Sequence, residues 1–220
     1  MIVALAQTKG GVGKTMLSVN IAVERSRFGR DVLLIDADNQ ASSADFAAIR
    51  AETLGDPGFT TVQLSGAAVR TECLRLSSKY TDIIIDCGGR DSGGLRAALT
   101  VCDVAIVPFQ PRTADIWTLD RMAELVAEAR HINTRLRALS VVNCADAAGN
   151  SNDDAASVLG VNGEIAYSQI MIGRRKAFEN GFLAGLGASE LKRPDPKACA
   201  EMAALVALAF QVPSDIEMSE

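Results

Sequence analysis

The chain has 220 residues, 48% of them apolar and 22% charged, which fits a single globular domain and excludes a disordered or fibrous protein. A formal charge of −5 excludes a uniformly basic nucleic-acid binder but leaves room for a local basic patch. Five scattered cysteines without a C-x-x-C pair argue against a disulfide framework or a cysteine zinc site. With no secretory signal and no apolar run of about 18 residues, a cytoplasmic protein is expected.

In chain order, Ile2 to Ala6 reads as a short buried strand that runs into Lys9-Gly10-Gly11-Val12-Gly13. A helix is predicted from Lys14 to just before Gly29, a suitable residue beyond a helix C-terminus. Four more apolar runs follow: Val32 to Ile35 ending on Asp36, Ile83 to Ile85 ending on Asp86, Val104 to Val107 closed by Pro108, and Leu139 to Val142 closed by Asn143. Ile116, Leu119, Met122, Val126 and Ala129 recur at helical spacing, and Ala145 to Asp154 reads as a surface loop. Met202, Leu205, Val206 and Ala209 mark a last helix. Continuous apolar strands alternating with helices predict one α/β domain over residues 1–220, a mostly parallel twisted sheet with helices on both faces. Residues 211–220 read as a flexible acidic tail.

Thr8-Lys9-Gly10-Gly11-Val12-Gly13-Lys14-Thr15, between a strand and a helix, carries the clearest chemistry. Glycines let the backbone approach phosphate oxygens with N–H groups pointing inward at a helix N-terminus. Lys14 would reach the β- and γ-phosphates, and the Thr15 hydroxyl would bind Mg²⁺. Against G-x-x-x-x-G-K-[ST], Thr8 replaces the first glycine. The plain alternative is a glycine turn that only packs a helix; the strand before it and the Gly-Lys-Thr triplet speak against that.

With Lys9 inside the loop, the segment resembles the deviant Walker A motif of the ParA/MinD family of P-loop ATPases, most closely the small plasmid-type partition ATPases. The resemblance implies that Lys9 acts in trans on the partner's phosphates in an ATP-sandwiched homodimer, as an arginine finger does. It implies catalytic roles for Lys9, Lys14 and Asp38. ATP would be held by residues 9–15, the Met16 backbone and Asn143, the last reading adenine. Leu33 to Gln40 is similar to the family's D-x-D-P-Q box, with Asp38 orienting the attacking water, Asp36 near the metal and Asn39 where proline is usual. Ile83-Ile84-Ile85-Asp86 looks like Walker B, followed by a Gly88-Gly89 switch. Mg²⁺ would then be held by Thr15, Asp36 and Asp86. Each Asp alone is also a common cap or turn residue. Met16 stands where the family commonly has a hydroxyl.

For function the resemblance implies a switch for plasmid or chromosome segregation. ATP would drive dimerisation and sequence-independent DNA binding at the nucleoid, and a small ParB-like adaptor would stimulate an otherwise weak hydrolysis. Arg174, Arg175, Lys176, Lys192, Arg193 and Lys197 are the candidate DNA contacts, against the alternative of a solvated surface. The first strand begins at residue 2, so no helix-turn-helix extension is expected. A MinD-like membrane positioner calls for a basic amphipathic C-terminal helix, whereas Asp215, Glu217 and Glu220 make this end acidic, so no membrane partner is expected. Positioning of another cargo stays open, and a P-loop ligase does not need Lys9.

Overall fold

The computed structural model describes residues 1–112 and 117–211. Seven strands form one all-parallel sheet: β1 (Ile2–Leu5), β2 (Val32–Ala37), β3 (Thr60–Gln63), β4 (Asp82–Cys87), β5 (Val104–Phe109), β6 (Arg137–Ala145) and β7 (Ala166–Gly173). Their order across the sheet is β3-β2-β4-β1-β5-β6-β7. Eight α-helices are present among the described residues: α1 (Lys14–Arg27), α2 (Ser42–Leu54), α3 (Ala68–Leu76), α4 (Gly93–Leu99), α5 (Leu119–Arg130), α6 (Ser151–Gly160), α7 (Lys176–Leu183) and α8 (Pro196–Ala209).

The sheet forms because its central strands are apolar on both sides. Every residue of β1, β2, β4 and β5 is buried. Alternate side chains point to opposite faces. Leu33, Ile35, Ile83 and Ile85 join one core with α3 to α6, while Val32, Leu34 and Ile84 join the other with α1, α2, α7 and α8. Truncating one of these, such as Ile84→Ala, costs about 2–5 kcal/mol in lost burial and residual cavity. Parallel pairing aligns the strand ends, so β1, β2 and β4 deliver their following loops to one edge, with Asp36 beside Asp86 in register.

Two predicted ends differ. Pro108 lies inside β5, which continues to Phe109. Its carbonyl accepts from the Gln7 side chain, on the side where β1 has already ended, so the missing N–H breaks no ladder. Likewise Asn143 lies inside β6, and the loop over residues 145–154 gives way to α6 from Ser151. Helix α1 ends as predicted, with Gly29 at φ +72° beyond it. The last helix buries Met202, Leu205, Val206 and Ala209 and is capped by Asp195, whose side chain accepts from the Lys197 and Ala198 N–H groups. Ile116 and the acidic residues at 215, 217 and 220 lie outside the described residues.

Candidate functional site

The loop between β1 and α1 turns through positive φ at Gly11 (+75°) and Gly13 (+91°), a backbone that side-chain-bearing residues rarely adopt. Gly13 stands at the helix N-cap, where no side chain caps α1. The first-turn N–H groups of a long buried helix are thus left facing outward, an arrangement suited to an anion.

Lys14 is buried, and its Nζ donates to the Lys9 carbonyl at 2.9 Å, so the loop closes over its own lysine. Burial lowers the Lys14 pKa, while Asp86, Cys87 and Asp38 nearby favour its charged form. Lys9 itself is half-buried. Side-chain amides hold the same loop from beneath. Gln110 Nε2 donates to the Gly11 carbonyl and Asn143 Nδ2 to the Val12 carbonyl, both at 2.7 Å.

At the end of β4, Asp86 is buried and accepts from the Ser43 hydroxyl at 2.5 Å. Burial pushes its pKa up to about 6, against the opposing pull of the Ser43 hydrogen bond and of the nearby Thr15 hydroxyl and Lys14 ammonium. Its Oδ1 has no hydrogen-bond partner. A buried carboxylate oxygen without a donor, beside a Thr15 hydroxyl, fits a hard cation such as Mg²⁺. Among the described residues no cluster of three or more His, Cys, Asp or Glu side chains forms a complete metal cage. A Mg²⁺ held here by Thr15 and Asp86 would take its other ligands from phosphate and water and would neutralise charge on the phosphate oxygens. Asp36 is also buried, which raises its pKa, and its oxygens accept from the Asp38 and Ala44 N–H groups. It therefore shapes the loop that carries Asp38.

The Gly88-Gly89 segment packs against both loops. A Cβ added at Gly89 would lie 2.8 Å from Gly10 Cα, and one at Gly88 would lie 3.5 Å from Asp38 Cγ. Gly10, Asp38, Asn39, Gly88, Gly89 and Arg90 line a polar cleft of 570 Å³. Just beyond, Asp91 is clamped by Nε and Nη2 of Arg96 and by Arg121, at 2.6–2.9 Å. Their hydrogen bonds hold its carboxyl down to about 2. On the other side of Gly13, an apolar cleft of 450 Å³ is lined by Thr15, Met16, Cys144, Arg174, Phe178 and Phe182. The glycine loop thus lies between a polar cleft holding Asp38 and an apolar one broad enough for a flat ring.

Residues 3–171 match the family described as the CobQ/CobB/MinD/ParA nucleotide binding domain. The chain belongs to this family. Among relatives within it, the chromosome-partitioning ATPase Soj of Thermus thermophilus is 29% identical over 170 residues, 64% of this chain and 67% of that protein. The maintenance of carboxysome distribution protein A of Halothiobacillus neapolitanus is 30% identical over 145 residues, 64% of each chain, so less than two thirds of that relative is spanned. The fold resembles that of a Cyanothece McdA–ATP complex, with TM-score 0.79 at 17% identity over 98% of each chain.

Within this nucleotide-binding fold, Lys9, Lys14, Thr15, Asp36, Asp38 and Asp86 lie together at the ends of β1, β2 and β4. Two expectations need revision. Asn143 is fully buried under the loop with its Nδ2 committed to Val12, so only its unpartnered Oδ1 is left for a base. The basic group is not one free patch. Arg175 is bonded through both Nε and Nη2 to Glu201, with Asp195 also nearby, and with Arg174 it lines the apolar cleft. Lys176, Lys192, Arg193 and Lys197 are exposed. Sequence reasoning missed Ser43, Gln7 and Gln110; a glutamine just after an apolar strand was the only signal for the last two.

Proposed function

We propose that this protein is an ATPase switch of the ParA type, which dimerises on ATP and Mg²⁺, binds DNA without sequence preference, and returns to the monomer when an adaptor stimulates hydrolysis. One observation carries the reading: Lys9 lies inside the same loop whose Lys14 contacts its carbonyl, with Asp38 and the Gly88-Gly89 segment in the adjoining cleft. A site that only phosphorylates or activates a small molecule has no use for that second lysine. Lys14 and the loop N–H groups bind the phosphates, Lys9 serves the partner's nucleotide, and Asp38 orients the attacking water.

The charge of −5 is doubled in a dimer, so attraction to a duplex must be local. The exposed Lys176, Lys192, Arg193 and Lys197, with Arg174, are the proposed contacts. If they neutralise about six phosphates in the dimer, log affinity falls with a slope near roughly −5 against log salt. Gel shift with duplexes of unrelated sequence, with ATP, ADP or no nucleotide, tests this: binding only with ATP and equal for all duplexes supports DNA segregation. A second reading is transport of another cargo over the same DNA surface, favoured by the 30% identity to a carboxysome distribution protein. It gives the same DNA result and differs in the adaptor, which pull-down of a DNA-binding as against a cargo-bound protein separates. Among the described residues no helix is long and apolar enough to cross a membrane.

A further inference from the structure

The glycine loop owes its shape to side chains outside its own motif. In a trans peptide the C=O of one residue and the N–H of the next point in opposite directions. Holding a carbonyl in place therefore aims the following N–H. Gln110 Nε2 holds the Gly11 carbonyl, which fixes the direction of the Val12 N–H; Asn143 Nδ2 holds the Val12 carbonyl, which fixes that of the Gly13 N–H. Gln110 directly follows β5, the strand beside β1, and Asn143 lies near the end of β6, one strand further across the sheet. Gln110 is itself fixed, because its backbone carbonyl accepts from the Arg112 N–H at 2.7 Å and its side chain is nearly buried. A third amide, fully buried Gln7, accepts from the Thr8 hydroxyl at 3.2 Å and caps the loop entrance.

We infer that Gln110, with Asn143, is a positioning residue for phosphate binding: it pre-sets the Val12 and Gly13 N–H groups toward the β-phosphate before nucleotide arrives. Glycines at positions 11 and 13 are flexible and on their own sample many peptide orientations. A donor bonded to a carbonyl from a strand end removes those alternatives, so binding spends less free energy on ordering the loop. Gln110 touches no phosphate in this role; it acts through the backbone. The inference rests on the nucleotide reading above and goes beyond it by assigning work to a residue outside the phosphate loop and the two aspartate boxes.

The test is Gln110→Met, which keeps the length and volume of the side chain but has no donor. Calorimetry with ADP and Mg²⁺ should show affinity reduced about five- to tenfold, the effect of losing one buried hydrogen bond. Thermal melting without nucleotide should stay within a few degrees of the parent. In ¹⁵N spectra, the Val12 and Gly13 amides should be broadened or shifted in the free variant and show a reduced response to ADP. Should Gln110→Met fail to fold, Gln110→Leu, uncharged and without a donor, replaces it with the same expected direction. Equal ADP affinity and unchanged Val12 and Gly13 signals in the folded variant would overturn the inference. A parent that binds neither ADP nor ATP would instead overturn the nucleotide reading.

Discussion

Gly11 and Gly13 both sit at positive φ, but only Gly13 is crowded, and that contrast sets up a quantitative prediction. A Cβ at Gly11 meets nothing within 4 Å, whereas one at Gly13 would lie 2.1 Å from Asn143 Nδ2. Gly11→Ala should cost only the left-handed backbone penalty, about 1–2 kcal/mol. Gly13→Ala pays a similar penalty and also expels the Asn143 amide, leaving the buried Val12 carbonyl unpaired for a further ~1–3 kcal/mol. Urea unfolding of the nucleotide-free protein measures both. In an Asn143→Ala background the carbonyl is already unpaired and the clash is gone, so the cost of Gly13→Ala should shrink to that of Gly11→Ala. Equal costs for the two glycines in the parent, or strict additivity of Gly13→Ala and Asn143→Ala, would refute the packing of Asn143 under the loop.

Lys14→Ala should abolish nucleotide binding by calorimetry, because the loop loses the cation that now rests on the Lys9 carbonyl. Asp38→Ala should still bind ATP and dimerise but turn over roughly 10²–10⁴-fold more slowly in a phosphate-release assay, since a water-orienting carboxylate acts on the chemical step. Asp91→Asn should lose about 0.5–1 kcal/mol at neutral pH, the scale of an exposed ion-pair network. Because the folded-state pKa of Asp91 lies below its ordinary 3.8, near 2, that contribution is present above about pH 4 and fades toward pH 2. Denaturant titrations of parent and variant at pH 7 and pH 3 should therefore show a gap that narrows on acidification; a widening gap would contradict the assignment.

The central strands and the phosphate loop were legible because each depends on local sequence. Leu33 to Ile35 and Ile83 to Ile85 are apolar on both faces, as a buried parallel strand must be, and the Gly-Lys-Thr triplet follows a strand and opens a helix, the context a phosphate loop requires. The two strands at the sheet edges were not legible. β3 is Thr-Thr-Val-Gln and only partly buried, and β7 buries only Ile172 among exposed and half-buried residues, with register shifts against β6 and φ +61° at Gln169. An edge strand needs only one covered side, so it carries no continuous apolar run. The first turn of α6 reads as loop because it is Ser-Asn-Asp-Asp, and the helix buries only Ala155 and Leu159. Long-range pairing was equally invisible. Arg175 looked like one of three adjacent cations until α8 brought Glu201 against it, and Ser43 meets Asp86 across two elements. Such contacts are made by topology, and no spacing in the chain announces them.

The central claim is a switch whose second lysine acts across a dimer, and the most direct measurement is the mass of the protein by light scattering with Mg²⁺ and ATP, with ADP, and without nucleotide. A twofold rise in mass with ATP alone, lost in Lys9→Ala although that variant still binds ATP, is the result expected here. An unchanged monomer mass in every nucleotide state, or a Lys9→Ala variant that dimerises like the parent, would contradict it.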